Sequence, residues 1–270
     1  MKGSAAGTEM IERHGKLAIL DTAKIRRTII AGDIHGDLHA FKRIISIGTT
    51  ADVTVFLGDY ADRGSYGLEV IEGLMAAVKR SRNRIVALKG NHEDFMDSGA
   101  PRFHPCTLVR EAEQKGRNWK ELFPVLQEFF DTLPLAALIP GYALLVHGGI
   151  SEDLTSPETL EHPTKDMATD IMWSDPGQSP GQHPNPRGAG KLFGADTTAK
   201  VLSSLGVKFL IRSHEPRKAR TGPHFEHRNS VVTTSATSIY GGRPFALVLP
   251  GYKLPLSRKS LSDCTSYLSQ

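Results

Sequence analysis

Five segments of this 270-residue chain share one plan, and that plan narrows the fold more than any other feature of the sequence. Each is a short β-branched or apolar run that stops at a glycine or polar break carrying Asp, Asn or His: "TIIAGDIHGD", "VTVFLGDYADRG", "RIVALKGNHED", "YALLVHGG" and "VKFLIRSHE". Runs of this length bounded by glycine read as buried strands. Between the first three lie "LHAFKRIISI" and "GLEVIEGLMAAVKR", whose apolar residues recur at helical spacing. The alternation predicts βαβ units, a parallel sheet and three strand ends on one edge. In open α/β sheets that edge is where ligands bind.

The rest of the chain is read more coarsely. Residues 107–139 look helical, with Pro124 suited to a helix start. The stretch "DPGQSPGQHPNPRGAG", Asp175 to Gly190, is either a flexible linker or a long active-site loop. A helix is expected over Ala195–Leu205, then strands at "SVVTTSA" and "RPFALVLP"; the polar final residues, "LSRKSLSDCTSYLSQ", are expected to fray. The length suits one large α/β domain, or two small ones at most.

The chemistry concentrates at the strand ends. In "VFLGDYADRGSYG" two carboxylates and a guanidinium, Asp59, Asp62 and Arg63, follow an apolar run directly. A tight turn explains one Asp and one Gly, but not three charges of mixed sign. Taken singly, Asp33 with His35 could be an Asx turn, Asn91 a helix cap, His147 a core histidine and His214 an edge residue. Taken together, Asp33, His35, Asp59, Asn91, His147 and His214 form a set of oxygen and imidazole donors without sulfur. Such a set suits manganese, iron or zinc. Six donors exceed what one open catalytic ion takes. They match two ions sharing a carboxylate, an arrangement that clamps both oxygens of an in-line phosphoryl displacement.

The order and spacing of these blocks strongly resemble the phosphoprotein phosphatase family of metal-dependent Ser/Thr phosphatases. "GDIHG" is followed by "GDYADRG" with 26 residues from Asp33 to Asp59, then by "GNHE" 32 residues further at Asn91. "VHGGI", "WSDP", "NPRGAGKLFG" and "LIRSHE" follow in the family's order, so the resemblance covers about Ile25 to Tyr252 and implies a catalytic domain over 25–252 between an N-terminal extension (1–24) and a polar tail (253–270). It implies a metallophosphoesterase fold, a central two-sheet β-sandwich flanked by helices. It also implies Asp33, His35 and Asp59 as ligands of a first metal, and Asp59, Asn91, His147 and His214 as ligands of a second. Arg63, Arg187, Asn91 and Tyr240 correspond to substrate phosphate-binding positions, and His92 with Asp62 to a general-acid pair. Manganese is the first expectation for the two divalent ions, with iron or zinc as alternatives. One departure stands out: "TSATSIYGG" replaces the family's Ser-Ala-Pro-Asn-Tyr block, so Tyr240 comes one residue later without the proline.

Composition excludes several classes. No apolar run is long enough to span a membrane, and the N-terminus carries no apolar signal core. Cys106 and Cys264 are the only cysteines and form no CxxC, which points to a reducing, cytoplasmic setting. The formal charge of +4 is modest, and its local cluster, Arg212, Arg217, Lys218, Arg220 and Arg228, suits an anionic substrate. With Phe225 as its one aromatic, that stretch argues against nucleic-acid stacking. No GxSxG elbow supplies a serine nucleophile. The expected substrates are phosphorylated proteins; regulatory subunits cannot be read from the chain. A nucleotide-polyphosphate hydrolase of the diadenosine tetraphosphatase kind, or an RNA-end hydrolase, is the nearest rival. The acid Asp62 argues against it. A silent binding module is the remaining alternative, and the complete donor set argues against that.

Overall fold

A computed structural model describes residues 9–81, 83–251 and 253–268; the expected domain boundary at Tyr252 and the first eight residues lie outside the described residues. Three of the five strand-end segments build one sheet. β1 (Ile11–His14) and β2 (Leu17–Leu20) precede β3 (Arg27–Ala31), α1 (Leu38–Gly48), β4 (Val53–Phe56), α2 (Gly67–Arg80) and β5 (Ile85–Ala87). β3, β4 and β5 run parallel, with Ala31 opposite Phe56 and Phe56 opposite Ala87. That register starts "GD", "GD" and "GN" from the same edge. The expected βαβαβ unit is therefore present.

Helices α3 (Leu108–Gln114) and α4 (Trp119–Thr132) follow, then β6 (Ala136–Ile139) and β7 (Ala143–Val146). Two sequence expectations fail here. Residues 136–139 form a strand rather than helix, because "AALI" is buried throughout between two neighbours, parallel to β2 and antiparallel to β7. Pro124 does not start a helix: Asn118 does, its side chain accepting from the Lys120 N–H, and Pro124 lies inside α4. The lost backbone hydrogen bond is offset by a buried apolar face of Leu122, Phe123, Leu126 and Phe130.

Next come α5 (Pro157–Glu161), α6 (Lys165–Trp173), β8 (Asp175–Pro176), β9 (Gln182–Pro184), β10 (Lys191–Phe193), α7 (Ala195–Ser204), β11 (Phe209–Arg212), β12 (His224–Glu226), β13 (Val231–Thr233), β14 (Phe245–Pro250), α8 (Arg258–Ser262) and β15 (Thr265–Tyr267). They complete a five-stranded sheet ordered β15-β14-β3-β4-β5 and a seven-stranded sheet ordered β1-β2-β6-β7-β11-β13-β12. The Pro/Gly-rich stretch is no free linker; it contributes β8 and β9 to a small third sheet, β8-β10-β9.

Both ends of the described chain join the large sheets. β2 pairs with β6, so part of the expected N-terminal extension is sheet. The C-terminal residues expected to fray instead form α8, capped reciprocally by Ser257 and Ser260, and β15, paired to β14. Leu261 and Leu268 are buried there. These two isolated leucines make no periodic pattern, which is why the polar composition misled.

Side-chain alternation explains the layering. Ile30, Val53, Val55 and Val86 meet Ala137, Ala143, Leu145, Ile211 and Val232 between the two large sheets. Ile29, Ala31, Phe56 and Ala87, on the opposite face of the first sheet, pack under α1 to α4. Leu17, Leu138, Leu144, Val146 and Leu210 pack under α6 and α7. Each fully buried Val, Leu, Ile or Phe among them contributes about 1.5–3 kcal/mol relative to exposure, enough for a sandwich that holds its loops in fixed register. Among the described residues, no helix is long and apolar enough to cross a membrane.

Candidate active site

The loops after β3, β4, β5, β7 and β11 converge, and the convergence is enforced by backbone contacts. Ile34 and His35 donate their N–H groups to the Asp59 carbonyl at 3.0 and 2.9 Å. Asp33 forms a parallel bridge with Ser235, joining the two sheets. Its Oδ1 accepts the His214 backbone N–H at 3.0 Å and the Ser213 hydroxyl. Gly58 is obligatory at φ +109°, because a Cβ there would stand 2.6 Å from the Gly90 Cα. His35, Asp59, Asp62, Arg63 and His214 all hold positive φ without being glycine. Backbone strain concentrated in this way marks a site that the surrounding packing over-determines.

Six predicted donors are buried around one point. His35 Nδ1 lies 3.0 Å from the Ala61 carbonyl, His147 Nδ1 3.0 Å from the Leu57 carbonyl, and His214 Nδ1 3.1 Å from Asp175 Oδ1. A carbonyl or carboxylate oxygen at Nδ1 draws the ring proton to that nitrogen, the usual preparation of an imidazole that ligates through Nε2. The Nε2 of His35 is 3.8 Å from Asp33 Oδ2 and 3.6 Å from Asp59 Oδ2. The Nε2 of His147 is 3.3 Å from Asp59 Oδ1 and 3.0 Å from Asn91 Oδ1. Two groups, Asp33–Asp59–His147 and His35–Asp59–His92, bring ligand atoms within 4.8 Å of one another, and Asp59 belongs to both. His214 joins through its ring, 5.1 Å from that of His147.

Burial alone would raise the Asp59 carboxyl, but His147, His92 and His35 hold it well below the usual range. Burial pushes His214 down to about 4 against the pull of Asp175, so its ring is neutral. His35 is likewise lowered by burial.

His92 Nδ1 lies 2.7 Å from Asp62 Oδ2, and Asp62 Oδ1 accepts the Leu108 N–H at 2.8 Å and the Thr107 N–H. Burial depresses the His92 imidazole, yet Asp59 and Asp62 more than offset this and raise it. Phe103 packs on its ring at 4.4 Å between centroids. These groups open into a cleft of about 520 Å³ lined also by Arg63, His104, Trp173, Arg187, Arg217 and Tyr240. A larger groove between α2 and α4, about 650 Å³, contains none of these residues and is lined chiefly by aliphatic and aromatic side chains.

The chain matches the calcineurin-like phosphoesterase family over residues 26–218. It belongs to that family. It is 32% identical over 247 residues to the serine/threonine-protein phosphatase rdgC of Drosophila melanogaster, covering 82% of this chain and 36% of that protein. It is 34% identical over 195 residues to a serine/threonine-protein phosphatase of Caenorhabditis elegans, covering 69% of this chain and 42% of the other. The chain thus spans less than half the length of either relative. A Saccharomyces cerevisiae serine/threonine phosphatase described as similar to human phosphatase PP5 superposes with a TM-score of 0.74 at 23% identity, covering 94% of this chain and 82% of that one. The metallophosphoesterase fold expected from the sequence is the fold observed.

Several residues around this calcineurin-like site escaped the sequence reading. Glu93 sends one carboxylate oxygen to the Asp59 and Gly90 N–H groups and the other to Tyr60 N–H, tying two site loops together at 2.9 Å each. Asp175 binds His214, Arg187 at 2.7 Å and Arg212 at 2.7 Å. Its only signal was its place in "WSDP". Arg212, read from the sequence as part of a basic cluster suited to an anionic substrate, is fully buried, and Asp175 and Glu215 neutralise it. Tyr240 does reach the cleft despite the altered block, its ring 5.5 Å from that of His35. The missing proline is replaced by hydrogen bonds from Ser238 N–H and Oγ to Asp37 Oδ2 at 2.9 and 2.6 Å.

Proposed function

We propose that this chain hydrolyses phosphate monoesters of serine and threonine side chains in proteins, with two divalent cations as cofactors. The observation that carries this reading is the convergence of Asp33, Asp59 and the Nε2 atoms of His35 and His147 beside a histidine–carboxylate pair. The fit to cations rests on one atom in particular. Asp33 Oδ2 is buried with no hydrogen-bond partner among the described residues. An orphaned carboxylate oxygen is costly unless a cation satisfies it. Asp33, His35 and Asp59 would hold one ion; Asp59, Asn91, His147 and His214 would hold the other. Manganese suits this sulfur-free set best, with iron or zinc next. Bound there, two such ions would supply Lewis acidity and lower the pKa of water far below its bulk value, so that hydroxide is available near neutral pH.

The remaining work belongs to side chains. Arg63 and the terminal nitrogens of Arg187 orient the non-reacting phosphoryl oxygens, a task suited to the guanidinium fork. Asn91 and Tyr240 line the same pocket. Hydroxide forms the new P–O bond while the bond to the seryl or threonyl oxygen breaks. His92 gives its Nε2 proton to that departing oxygen, and Asp62 holds the Nδ1–H so that the ring stays aimed. Asp62 is also what favours a monoester over a nucleotide polyphosphate, whose leaving group is itself a phosphate and needs no such acid. The two unpaired, half-buried cysteines fit a reducing cytoplasm.

The test is a side-by-side assay of manganese-supplemented protein on phosphothreonine peptide, diadenosine tetraphosphate and capped RNA. The proposal expects the highest kcat/KM on the peptide. Turnover confined to either nucleotide substrate would overturn it.

A further inference from the structure

Among the described residues, the cations lining the cleft differ in whether anything neutralises them. Arg187 is bound to Asp175 at 2.7 Å. Lys218 is bound to Glu215 at 3.1 Å and to Glu226 at 2.9 Å. Glu215, the carboxylate on this wall, is in turn held by the buried Arg212 at 2.7 Å. Arg63 and Arg217 take part in no salt bridge among the described residues, and both are exposed. Arg63 already has a task under the proposed function. Arg217 has none.

We infer that Arg217 forms a second anion subsite, which takes a carboxylate or phosphate carried by the peptide two or three residues from the scissile phosphoester. The inference rests on the phosphopeptide reading above and deepens it. The Arg217 guanidinium carbon lies 5.8 Å from the centre of the Tyr240 ring, and that ring lies 5.5 Å from the His35 ring. These two distances cap the separation of the guanidinium carbon from the ring of His35, a candidate metal ligand, at about 11 Å, a span of at most about three extended residues at roughly 3.3–3.6 Å each.

The subsite is pre-organised on both sides. Tyr240 is held by the Ser238–Asp37 hydrogen bonds, and Asp37 is itself fixed because its other oxygen caps α1 at Ala40. Arg217 sits in a tight turn closed by Lys218 N–H to the Glu215 carbonyl at 3.0 Å, between the buried Pro216 and Ala219. A guanidinium laid over an aromatic face loses less freedom on binding than a free side chain, and its fork matches carboxylate and phosphate oxygens.

The experiment uses the full chain with manganese and three decapeptides. Each carries one phosphothreonine to be cleaved. The first has neutral neighbours, the second a glutamate two residues away, and the third a second phosphothreonine at that position made non-hydrolysable as the phosphonate. Sets are made with the acidic group on either side. The natural chain should prefer one acidic set over the neutral peptide by roughly tenfold in kcat/KM, mainly through KM, the value of one charge-assisted contact. Arg217→Ala should bring that ratio to about one, and Arg217→Lys should retain part of it, because charge persists without the fork. Added salt should shrink the preference, as the contact is exposed. Preference for the phosphonate alone assigns a phosphate subsite, and equal preference assigns a general anion subsite. A ratio unchanged by Arg217→Ala, or no acidic preference in the natural chain, would overturn the inference. Loss of all peptide turnover would instead overturn the proposed function.

Discussion

His92 and Asp62 are joined through Nδ1 and Oδ2 at 2.7 Å, while His92 Nε2 faces the cleft 3.9 Å from Asp59 Oδ2. This directs the ring's only free nitrogen at the place where a leaving oxygen would depart. His92→Asn should lower kcat on a phosphothreonine peptide by about 10²–10⁴-fold, the typical contribution of a positioned acid. The loss on an aryl phosphate, whose leaving group needs little protonation, should be far smaller. Equal losses on both, measured with saturating manganese, would contradict the acid role.

Gly90 touches the carboxylate shared by the two donor groups. A Cβ at this position would stand 2.5 Å from the Asp59 amide nitrogen and against its Oδ1. Gly90→Ala should therefore displace Asp59, at about 1–3 kcal/mol of overpacking, and weaken manganese binding at least tenfold. Calorimetric titration reads the affinity, and urea unfolding reads the strain. A variant with unaltered affinity would show that Asp59 does not need this close approach.

Arg212 is the largest fully buried side chain in the described structure, and it carries a charge. Asp175 and Glu215 each lie 2.7 Å from it, and the Gly148 and Ser174 carbonyls take further N–H groups. Arg212→Met would leave two carboxylates facing apolar sulfur and carbon. It should cost about 3–5 kcal/mol, the usual result of removing one partner from a buried ionic group. The urea midpoint checks this. A loss below about 1 kcal/mol would mean that water replaces the guanidinium.

Cys106 stands near Asp62, yet the mechanism asks nothing of it. Burial, aided by the Asp62 charge, pushes its thiol up to about 11. At pH 8 only about one thiol in a thousand is ionised, against roughly a quarter of ordinary cysteines. Carbamidomethylation should be slow at pH 8 and accelerate about tenfold per pH unit, because the thiolate fraction rises that steeply below the pKa. Peptide mapping follows the rate, and Cys106→Ser should stay active. Rapid alkylation at neutral pH accompanied by inactivation would contradict this placement.

What could be read from the sequence was whatever obeyed a local rule. Alternating runs such as "TIIA" and "VTVF" become strands because their two faces pack into different layers, Ile30 toward the second sheet and Ile29 toward the helices. Asp33, His35, Asp59 and Asn91 could be grouped from the sequence because each lies two to four residues past a strand of one parallel unit, whose register carries strand ends to one edge; His147 follows β7 of the second sheet directly. The groups that orient them could not be read this way. Glu93 and Asp175 act through contacts to residues 33–34 and 12–39 positions away, which leave no periodic trace. Arg212 was grouped with substrate-facing cations because composition says nothing of which carboxylates surround a cation. The C-terminal strand was missed for a related reason: β14 recruits "TSY" through backbone pairing, which polar side chains do not advertise.

The most direct measurement is the number of cations bound per chain, read by equilibrium dialysis with manganese and elemental analysis of the folded protein. The account predicts two per chain, and loss of both in Asp59→Asn, whose carboxylate serves both donor groups, with circular dichroism confirming that the variant is folded. Absence of binding at millimolar manganese, or an Asp59→Asn variant that still holds two ions, would contradict it.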